Sequence, residues 1–370
     1  MEQKEFDIVI VGAGVIGHGV AFRLKRTRPK LSVCLLGDPM NSLMASRAAA
    51  GMLAPYGECE KGDRFFRFCR ESLEKYPRFV EELVSVSGVP VYLSMAGSVM
   101  PSLAYADRWD ERLKFFREEK IPHEVWTGAQ VRRKLPHISP ECKEAIWVGE
   151  GQVNNRQLHD SLVAASAKLG VEVRASAVTG FVRDGSSVRS AVTDSGEVRG
   201  RKFVLAGGSW STQLGVVLGV TIPMKPIKGQ MCRLRVEDDR LEYTVHGILT
   251  YIAPWRGGNG FVIGSTMEDR AFDPAVEDHA IRGLIERASV LLPCLRDAPL
   301  IEAWTGLRPA AEDLMPIMGK SGVYWNLYYS TGHHRNGILQ TPNQADYVAG
   351  IVLETVKREI PEFSPSRYRL

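Results

Sequence analysis

The sequence lacks a long apolar run: nowhere in its 370 residues do apolar side chains approach the ~20 in succession that a membrane-spanning helix needs. Cysteine is sparse. The six residues (Cys34, Cys59, Cys69, Cys142, Cys232 and Cys294) are scattered, with no CxxC pair and no histidine at ligand spacing. That argues against zinc and against a disulfide framework, and predicts reduced, mostly structural thiols with no metal site. An excess of one charge is also missing. A net charge of +4 is slight for this length, and no basic run marks a nucleic-acid footprint. The first residues are mostly polar, and glycines soon break the apolar segment that begins at Ile8, so no secretory leader, no membrane association and a cytoplasmic location are expected. There is no internal repeat, linker or low-complexity segment. What is present is an ordinary globular composition, 44% hydrophobic and 24% charged, with enough chain for two domains or one elaborated domain.

The rest of the chain is organised around Asp7 to Leu24. The apolar run Ile8 to Val11 reads as a buried strand, Gly12-Ala13-Gly14-Val15-Ile16-Gly17 follows with GxGxxG spacing, and Val20, Ala21, Phe22 and Leu24 then recur at helical spacing. In such a unit Gly12 allows the tight turn, Gly14 lets a pyrophosphate approach the backbone, and Gly17 lets helix and strand pack closely. The N-terminus of the helix offers free N–H groups and a positive dipole. The context favours a bound dinucleotide over a structural glycine turn and leaves open which dinucleotide.

Leu31 to Leu36 reads as the second strand of this βαβ unit. It ends Leu36-Gly37-Asp38, with an acid one place later than the ribose-holding position, so Asp38 is either a ribose ligand or a loop aspartate. Ala45-Ser46-Arg47-Ala48-Ala49-Ala50-Gly51-Met52-Leu53 is either a tightly packed alanine helix or backbone pressed against a flat cofactor. Helical patterns cover 62–84, 105–119, 129–135, 155–169, 280–292 and, at the end, Pro342 to Arg358. Strand patterns cover 91–100, 146–153, 171–174 and 177–183. A hairpin is expected around Asp194-Ser195-Gly196, with Lys202 to Leu205 as a separate buried strand that runs into Ala206-Gly207-Gly208. The segments 222–236 and 250–264 are β-rich, with turn signals at Asp238-Asp239 and Gly257-Gly258-Asn259-Gly260. The return of dinucleotide-fold strands at 171–210 and 327–340 argues for two interleaved domains.

Three separated pieces belong together: Gly12 to Gly17, Leu205-Ala206-Gly207-Gly208-Ser209-Trp210, and Gly332-His333-His334-Arg335-Asn336-Gly337. In this order they resemble the flavin amine-oxidase family of D-amino acid oxidase, sarcosine oxidase and glycine oxidase. The strings Ala48-Ala49-Ala50-Gly51-Met52-Leu53 and Gly306-Leu307-Arg308-Pro309 are most similar to its glycine-oxidase branch, which serves thiazole formation in bacterial thiamine biosynthesis. The resemblance covers essentially the whole chain. It implies an α/β fold in which an FAD-binding Rossmann-like domain (1–86, 146–222 and 302–370) is interleaved with a smaller α+β substrate domain on an antiparallel sheet (87–145 and 223–301).

By motif match, Gly12, Gly14, Val15, Ile16 and Gly17 hold the FAD pyrophosphate, and Gly37 with Asp38 the adenosine ribose. Ala45, Ser46, Ala50, Gly51 and Met52 line the diphosphate and isoalloxazine, Val178 lies near the adenine, and Ala206, Gly207 and Trp210 border the cofactor. The stretch His333, His334, Arg335, Asn336, Gly337, Ile338 and Leu339 faces the flavin's pyrimidine edge from the N-terminus of the last helix, where a dipole stabilises the negative charge of the reduced ring. The segment Arg308-Pro309-Ala310-Ala311 has no cysteine to attach a flavin, so a dissociable FAD is expected.

For substrate, Arg308 matches the guanidinium that clamps an amino-acid carboxylate; an interdomain salt bridge is its other reading. Tyr251 matches the tyrosine whose hydroxyl assists the carboxylate, Met267 an apolar pocket wall, and Arg335 a residue close to the substrate or one in a structural pair. One departure stands out. Two residues before the tyrosine the glycine-oxidase pattern carries a histidine where this chain has Leu249, and His246, three residues earlier, is not expected to take its place along one strand. The implied reaction is hydride transfer from Cα to flavin N5. Glycine, sarcosine or a small D-amino acid would give a 2-oxo acid such as glyoxylate, ammonia or methylamine, and hydrogen peroxide from dioxygen, without a dedicated side-chain base. A homo-oligomer, a tetramer, is implied as well. The alternative is a dehydrogenase of the same fold that passes electrons to another acceptor.

Overall fold

The computed structural model describes residues 4–236, 241–247, 249–255 and 260–370. The turn signals at Asp238-Asp239 and Gly257 to Asn259 lie outside the described residues. The apolar run near the N-terminus forms the strand Glu5–Val11 at the centre of a sheet. Val33–Leu36 pairs parallel on one side of it and Gly196–Leu205 on the other; Glu172–Arg174 and Leu327–Thr331 extend the parallel order outward. A strand covered on both faces is apolar at successive positions. Ile8 and Ile10 pack with the helix layer that includes Val20, Ala21, Leu24 and Val348. Val9 and Val11 pack on the opposite side with Val188, Ala191 and Leu214. The expected hairpin strand and the buried strand after it are one continuous strand, Gly196–Leu205. Its first residues pair antiparallel with Ser187–Thr193 and its later ones parallel with Glu5–Val11.

The last helix differs from expectation. It runs Gly337–Val352, not Pro342 to Arg358. Proline inside a helix removes the amide that would bond the carbonyl four residues back, here Ile338 O. The structure supplies another donor: Tyr76 Oη, on the long helix Arg64–Ser87, bonds that carbonyl at 2.5 Å. One residue on, Ser72 Oγ donates to Leu339 O at 2.7 Å and accepts from Asn343 N at 3.3 Å. Two side chains of a neighbouring helix thus repair the turn that Pro342 disrupts, and the helix starts five residues early.

A second, mostly antiparallel sheet has eight strands in the order Leu300–Ala311, Met224–Leu234, Phe261–Gly264, Thr250–Pro254, Thr244–Gly247, Ser98–Pro101, Glu144–Val148, His123–Thr127. The expected strand over 91–100 is split, Leu93–Ser94 lying in a small third sheet. The expected helix over 105–119 is regular only over Trp109–Glu118. Along the second sheet, residues alternate between faces. Cys232, Val245, Ile252 and Ile263 turn into a core with the helix Asp278–Leu291. Their immediate neighbours Met231, His246, Tyr251 and Gly264 face the other way, toward the first sheet, and line a cavity of about 1190 Å³.

Candidate active site

One end of the cavity is the glycine loop. Gly12 has φ +127°, and a Cβ there would lie 2.1 Å from Ala206 O; a Cβ on Gly17 would lie 1.9 Å from Gly12 O. Both glycines are required by the fold itself. Gly14 is different. Its φ is −82°, and within 4 Å a Cβ would meet only Ser46 Oγ, at 2.9 Å. Its freedom from a side chain opens the cavity, not the backbone. The helix Val15–Thr27 has no side-chain cap from Gly14. Its Val15 amide is taken by Ser46 Oγ at 3.0 Å, and the next amides have no acceptor within the helix. The helix Gly337–Val352 is also uncapped at Asn336. Two helix N-termini, each equivalent to about half a positive charge, therefore border one cavity. That arrangement fits the phosphates and the anionic ring edge of a flavin dinucleotide.

Sequence reasoning missed what holds this cradle. His159 Nε2 donates to Ala13 O at 2.8 Å, and Asn155 Nδ2 to Ser46 O at 2.8 Å. Both come from the helix Asn155–Lys168, whose pattern was legible although its inward polar residues were not. The alanine-rich run resolves into one helical turn, Ala45–Ala48, and the short strand Met52–Leu53. It is squeezed between the two sheets: a Cβ on Gly306 would lie 2.3 Å from Ala48 Cβ, and Gln152 Nε2 bonds Ala50 O and Pro254 O at 3.3 and 2.7 Å. Asp38 lines the cavity and also closes its own turn, accepting from Met40 N at 2.8 Å.

The other wall is the second sheet. Register places His246 opposite Tyr251, Tyr251 opposite Gly264, Gly264 opposite Met231 and Met231 opposite Trp304. Residues opposed in this way share a face, and Arg308 shares the face of Trp304 by alternation. Two glycines make space along it. A Cβ on Gly264 would lie 2.2 Å from Tyr251 Oη, and one on Gly229 would lie 2.4 Å from both Nη1 and Nη2 of Arg308. Phenol and guanidinium thus lean over glycine-only positions toward each other. Arg308 Nη1 donates to Thr266 O at 3.1 Å and Lys228 O at 3.4 Å, and Nη2 donates to Ser265 Oγ. Of its five donors, Nε–H and one Nη2–H have no hydrogen-bond acceptor, and no carboxylate pairs with Arg308, among the described residues.

The segment holding Arg308 is itself stitched down. Lys228 and Glu268 exchange backbone hydrogen bonds at 2.9 Å, and the fully buried Lys228 Nζ lies 2.7 Å from Asp273 Oδ2. At the mouth, Arg335 pairs with Glu58 at 2.8 Å, is 44% exposed and lines the same cavity. Glu58 ends the one-turn helix Pro55–Glu58, which is clamped at both ends. Glu150 Oε1 accepts from Tyr56 N and Gly57 N at 2.6 and 2.7 Å, while Arg112 donates to the carbonyls of Tyr56, Gly57 and Cys59. Leu249 and Met267 lie at the cavity's rim, 78% and 62% exposed.

Burial sets the charges. It pushes the Tyr251 phenol up to about 12, leaving it a hydrogen-bond donor. It pulls His333 down to about 3, and His334, which Arg308 and Arg335 also oppose, to about 4, so both imidazoles are neutral at neutral pH. Burial also lowers Arg308, without bringing a guanidinium near neutrality. The positive charge in the cavity therefore resides in arginines and helix ends.

Of the residues singled out from sequence, all line this one cavity except Gly17, which packs beneath the loop, and Leu339, whose side chain is core. His246 does not occupy the place of position 249: it is 5% exposed, whereas Leu249 is 78% exposed. Nor does His246 share a strand with Tyr251; Leu249 is in the turn of a hairpin, and His246 returns opposite Tyr251 on the same face. Glu150, Ser265, Gly229 and Gly264 were not foreseen, since nothing local in sequence marks them.

The chain is similar to known proteins along nearly its whole length. It is 33% identical over 94% of its residues to the "Bifunctional protein ThiO/ThiG" of Trichormus variabilis, but covers 53% of that relative; this chain spans about half the length of such relatives. It is 30% identical to the glycine oxidase of Pseudomonas aeruginosa, covering 93% of this chain and 94% of the relative. The crystal structure of glycine oxidase from Geobacillus kaustophilus superposes with a TM-score of 0.90 at 29% identity, covering 97% of this chain and 98% of that one. A family model, described as DAO, FAD dependent oxidoreductase, matches residues 7–351. With its glycine loop, two sheets and helix N-termini at one cavity, the chain belongs to the family of FAD dependent oxidoreductases.

Proposed function

We propose that this protein is an FAD-dependent oxidase of glycine and other small amines, sarcosine and small D-amino acids included, and that it supplies the glycine imine for thiazole formation. The observation that carries the reading is the convergence of Arg308 and Tyr251 over Gly229 and Gly264, on the wall of a cavity bordered by two helix N-termini. The similarity to glycine oxidases and to ThiO/ThiG proteins supports it.

Arg308 and Tyr251 take the substrate carboxylate: the free Nε/Nη2 edge forms two parallel charged bonds and the neutral phenol adds a third. This fixes Cα against the cofactor and converts an encounter into a positioned reaction. Bound FAD would supply the redox chemistry, as two-electron acceptor for the Cα–H bond and donor to dioxygen. The amino acid becomes an imine, which water converts to the 2-oxo acid and ammonia; for glycine the sum is glycine, dioxygen and water to glyoxylate, ammonia and peroxide. Gly12, Gly14, Val15 and Ile16 would hold the pyrophosphate, Gly37, Asp38 and Val178 the adenosine end, and Ala45 to Met52 the ring face. The amides of Gly337 to Leu339 would oppose negative charge on the reduced ring, a task that neutral His333 and His334 would leave to the helix dipole. Met267 and Arg335 border the substrate end. The reading keeps the division into 1–86, 146–222 and 302–370 against 87–145 and 223–301, and places a homotetramer in the cytoplasm, whose mass light scattering measures.

The test is a peroxide-coupled assay of the purified yellow protein with glycine, sarcosine, D-alanine, D-proline and their L-counterparts. Peroxide from glycine with overlap among small amines is the expected result. Turnover with an artificial acceptor but not with dioxygen would replace the oxidase by a dehydrogenase.

A further inference from the structure

Behind Tyr251, as seen from Arg308, lies a buried polar pair that the reaction above does not use. His246 is 5% exposed and Glu150 fully buried. Glu150 Oε1 is saturated by two amides, but Oε2 makes no hydrogen bond, and neither does His246 Nε2, 3.5 Å away. Two such atoms left without hydrogen bonds in a protein interior cost free energy, so their retention calls for a reason. The imidazole stands over Gly57, where a Cβ would lie 2.8 Å from Cε1, and the ring borders the cavity. Glu150 is anchored to the one-turn helix by its other oxygen, so its Oε2 is held 3.5 Å from Nε2 of the ring. Cross-strand neighbours sit about 5 Å apart at Cβ. A carboxylate held by Arg308 and Tyr251 therefore lies one strand from His246, which borders the same cavity.

We propose that His246, oriented by Glu150, is a specificity-determining residue that receives a hydrogen-bonding substituent of the substrate, a hydroxyl or comparable polar group carried beyond Cα. The proposal rests on the carboxylate placement given under the proposed function. An imidazole ring offers a donor or an acceptor at each nitrogen, and a hydroxyl can answer either. A site built to bond such a group rejects an apolar isostere far more strongly than an apolar pocket rejects an added methyl. Leu249, which stands where the related pattern has a histidine, points into solvent, and His246 provides the polar side of the pocket instead.

The experiment uses the holoenzyme and isosteric pairs: D-serine against D-2-aminobutyrate, and N-(2-hydroxyethyl)glycine against N-propylglycine. In the wild type, kcat/KM is expected to favour the hydroxyl member by about tenfold or more. His246→Leu should bring the ratio to near one, Glu150→Gln should lower it, and His246→Gln should restore part of it. A merely structural role would depress both members of each pair together and leave the ratio intact, which would overturn the proposal, as would a wild-type ratio near one. In parallel, dissociation constants for 3-hydroxypropionate and butyrate are read from the visible spectrum of the bound flavin, which needs no turnover. A preference for 3-hydroxypropionate that His246→Leu abolishes, in an enzyme that oxidises no amine, would refute the amine-oxidase reading and sustain this one.

Discussion

Replacing Gly229 with alanine separates the fold from the carboxylate clamp. Gly229 lies in the strand Met224–Leu234, and its φ is not in the left-handed region, so alanine fits the backbone. The three atoms nearest the new Cβ all belong to the Arg308 guanidinium, at 2.4, 2.4 and 2.6 Å. Ordinary contact needs about 3.4 Å, so the guanidinium must retreat by about 1 Å, and as the tip of a flexible side chain it can do so cheaply. Its bonds to Ser265 Oγ and Thr266 O are then broken or bent. Loss of charged hydrogen bonds to substrate costs roughly 1.5–3 kcal/mol each, and a reactant misplaced by about 1 Å loses on the order of a hundredfold in rate. Gly229→Ala is therefore expected to lower kcat/KM for glycine by about a hundredfold, with KM carrying much of the loss. Unfolding free energy should stay level or rise by about 0.5 kcal/mol, because alanine restricts the unfolded chain. Steady-state peroxide kinetics and urea unfolding read the two quantities. Retention of kcat/KM within threefold, in a protein that folds and binds FAD, would refute the placement of the substrate carboxylate at Arg308.

Other tests divide roles that the primary structure runs together. Gly14→Ala should leave apoprotein stability near the wild-type value but weaken FAD binding by about a hundredfold, measured by fluorescence titration, whereas Gly17→Ala, whose Cβ meets backbone at 1.9 Å, should destabilise the fold by about 2–3 kcal/mol. Tyr76→Phe leaves Ile338 O without its donor and should cost about 1–3 kcal/mol in urea unfolding; in a Pro342→Ala background the helix's own amide can serve, and the cost should shrink by more than half. His18, His333 and His334 are held neutral by burial, at about 3, 3 and 4. In the unfolded chain each binds a proton near pH 6.5, so stability is present above that value and is lost as pH falls through the window below it. The loss is about 1.4 kcal/mol per histidine, some 4 kcal/mol in all, by about pH 5.5. A stability curve flat between about pH 7.5 and 5.5 would contradict their burial.

What could be read from sequence depended on how local its cause was. The first strand, glycine loop and helix were legible because their glycine spacing is read within about 20 residues: Gly17 meets Gly12 five positions back, although the contact that bars a side chain at Gly12 comes from Ala206 on the adjoining strand. Arg308 and Tyr251 were legible through motif resemblance alone, since the strands that bring them together are assembled over 224–311. The start of the last helix was misread because Pro342 is a helix breaker only while no other group bonds the freed carbonyl. That group, Tyr76, lies 262 residues away, and no window along the chain contains both. The place of His246 opposite Tyr251 was likewise beyond a reading along one strand. Spacing along one strand puts positions 246 and 251 on opposite faces, but a turn between them resets the parity, and opposed residues of a hairpin share a face whatever their separation. Leu249, at φ +59°, is where the chain turns. The substitution that made the substrate uncertain from sequence is thus also the residue whose turn carries a different histidine to the cavity, so pocket polarity here follows from hairpin register and not from identity at one aligned position.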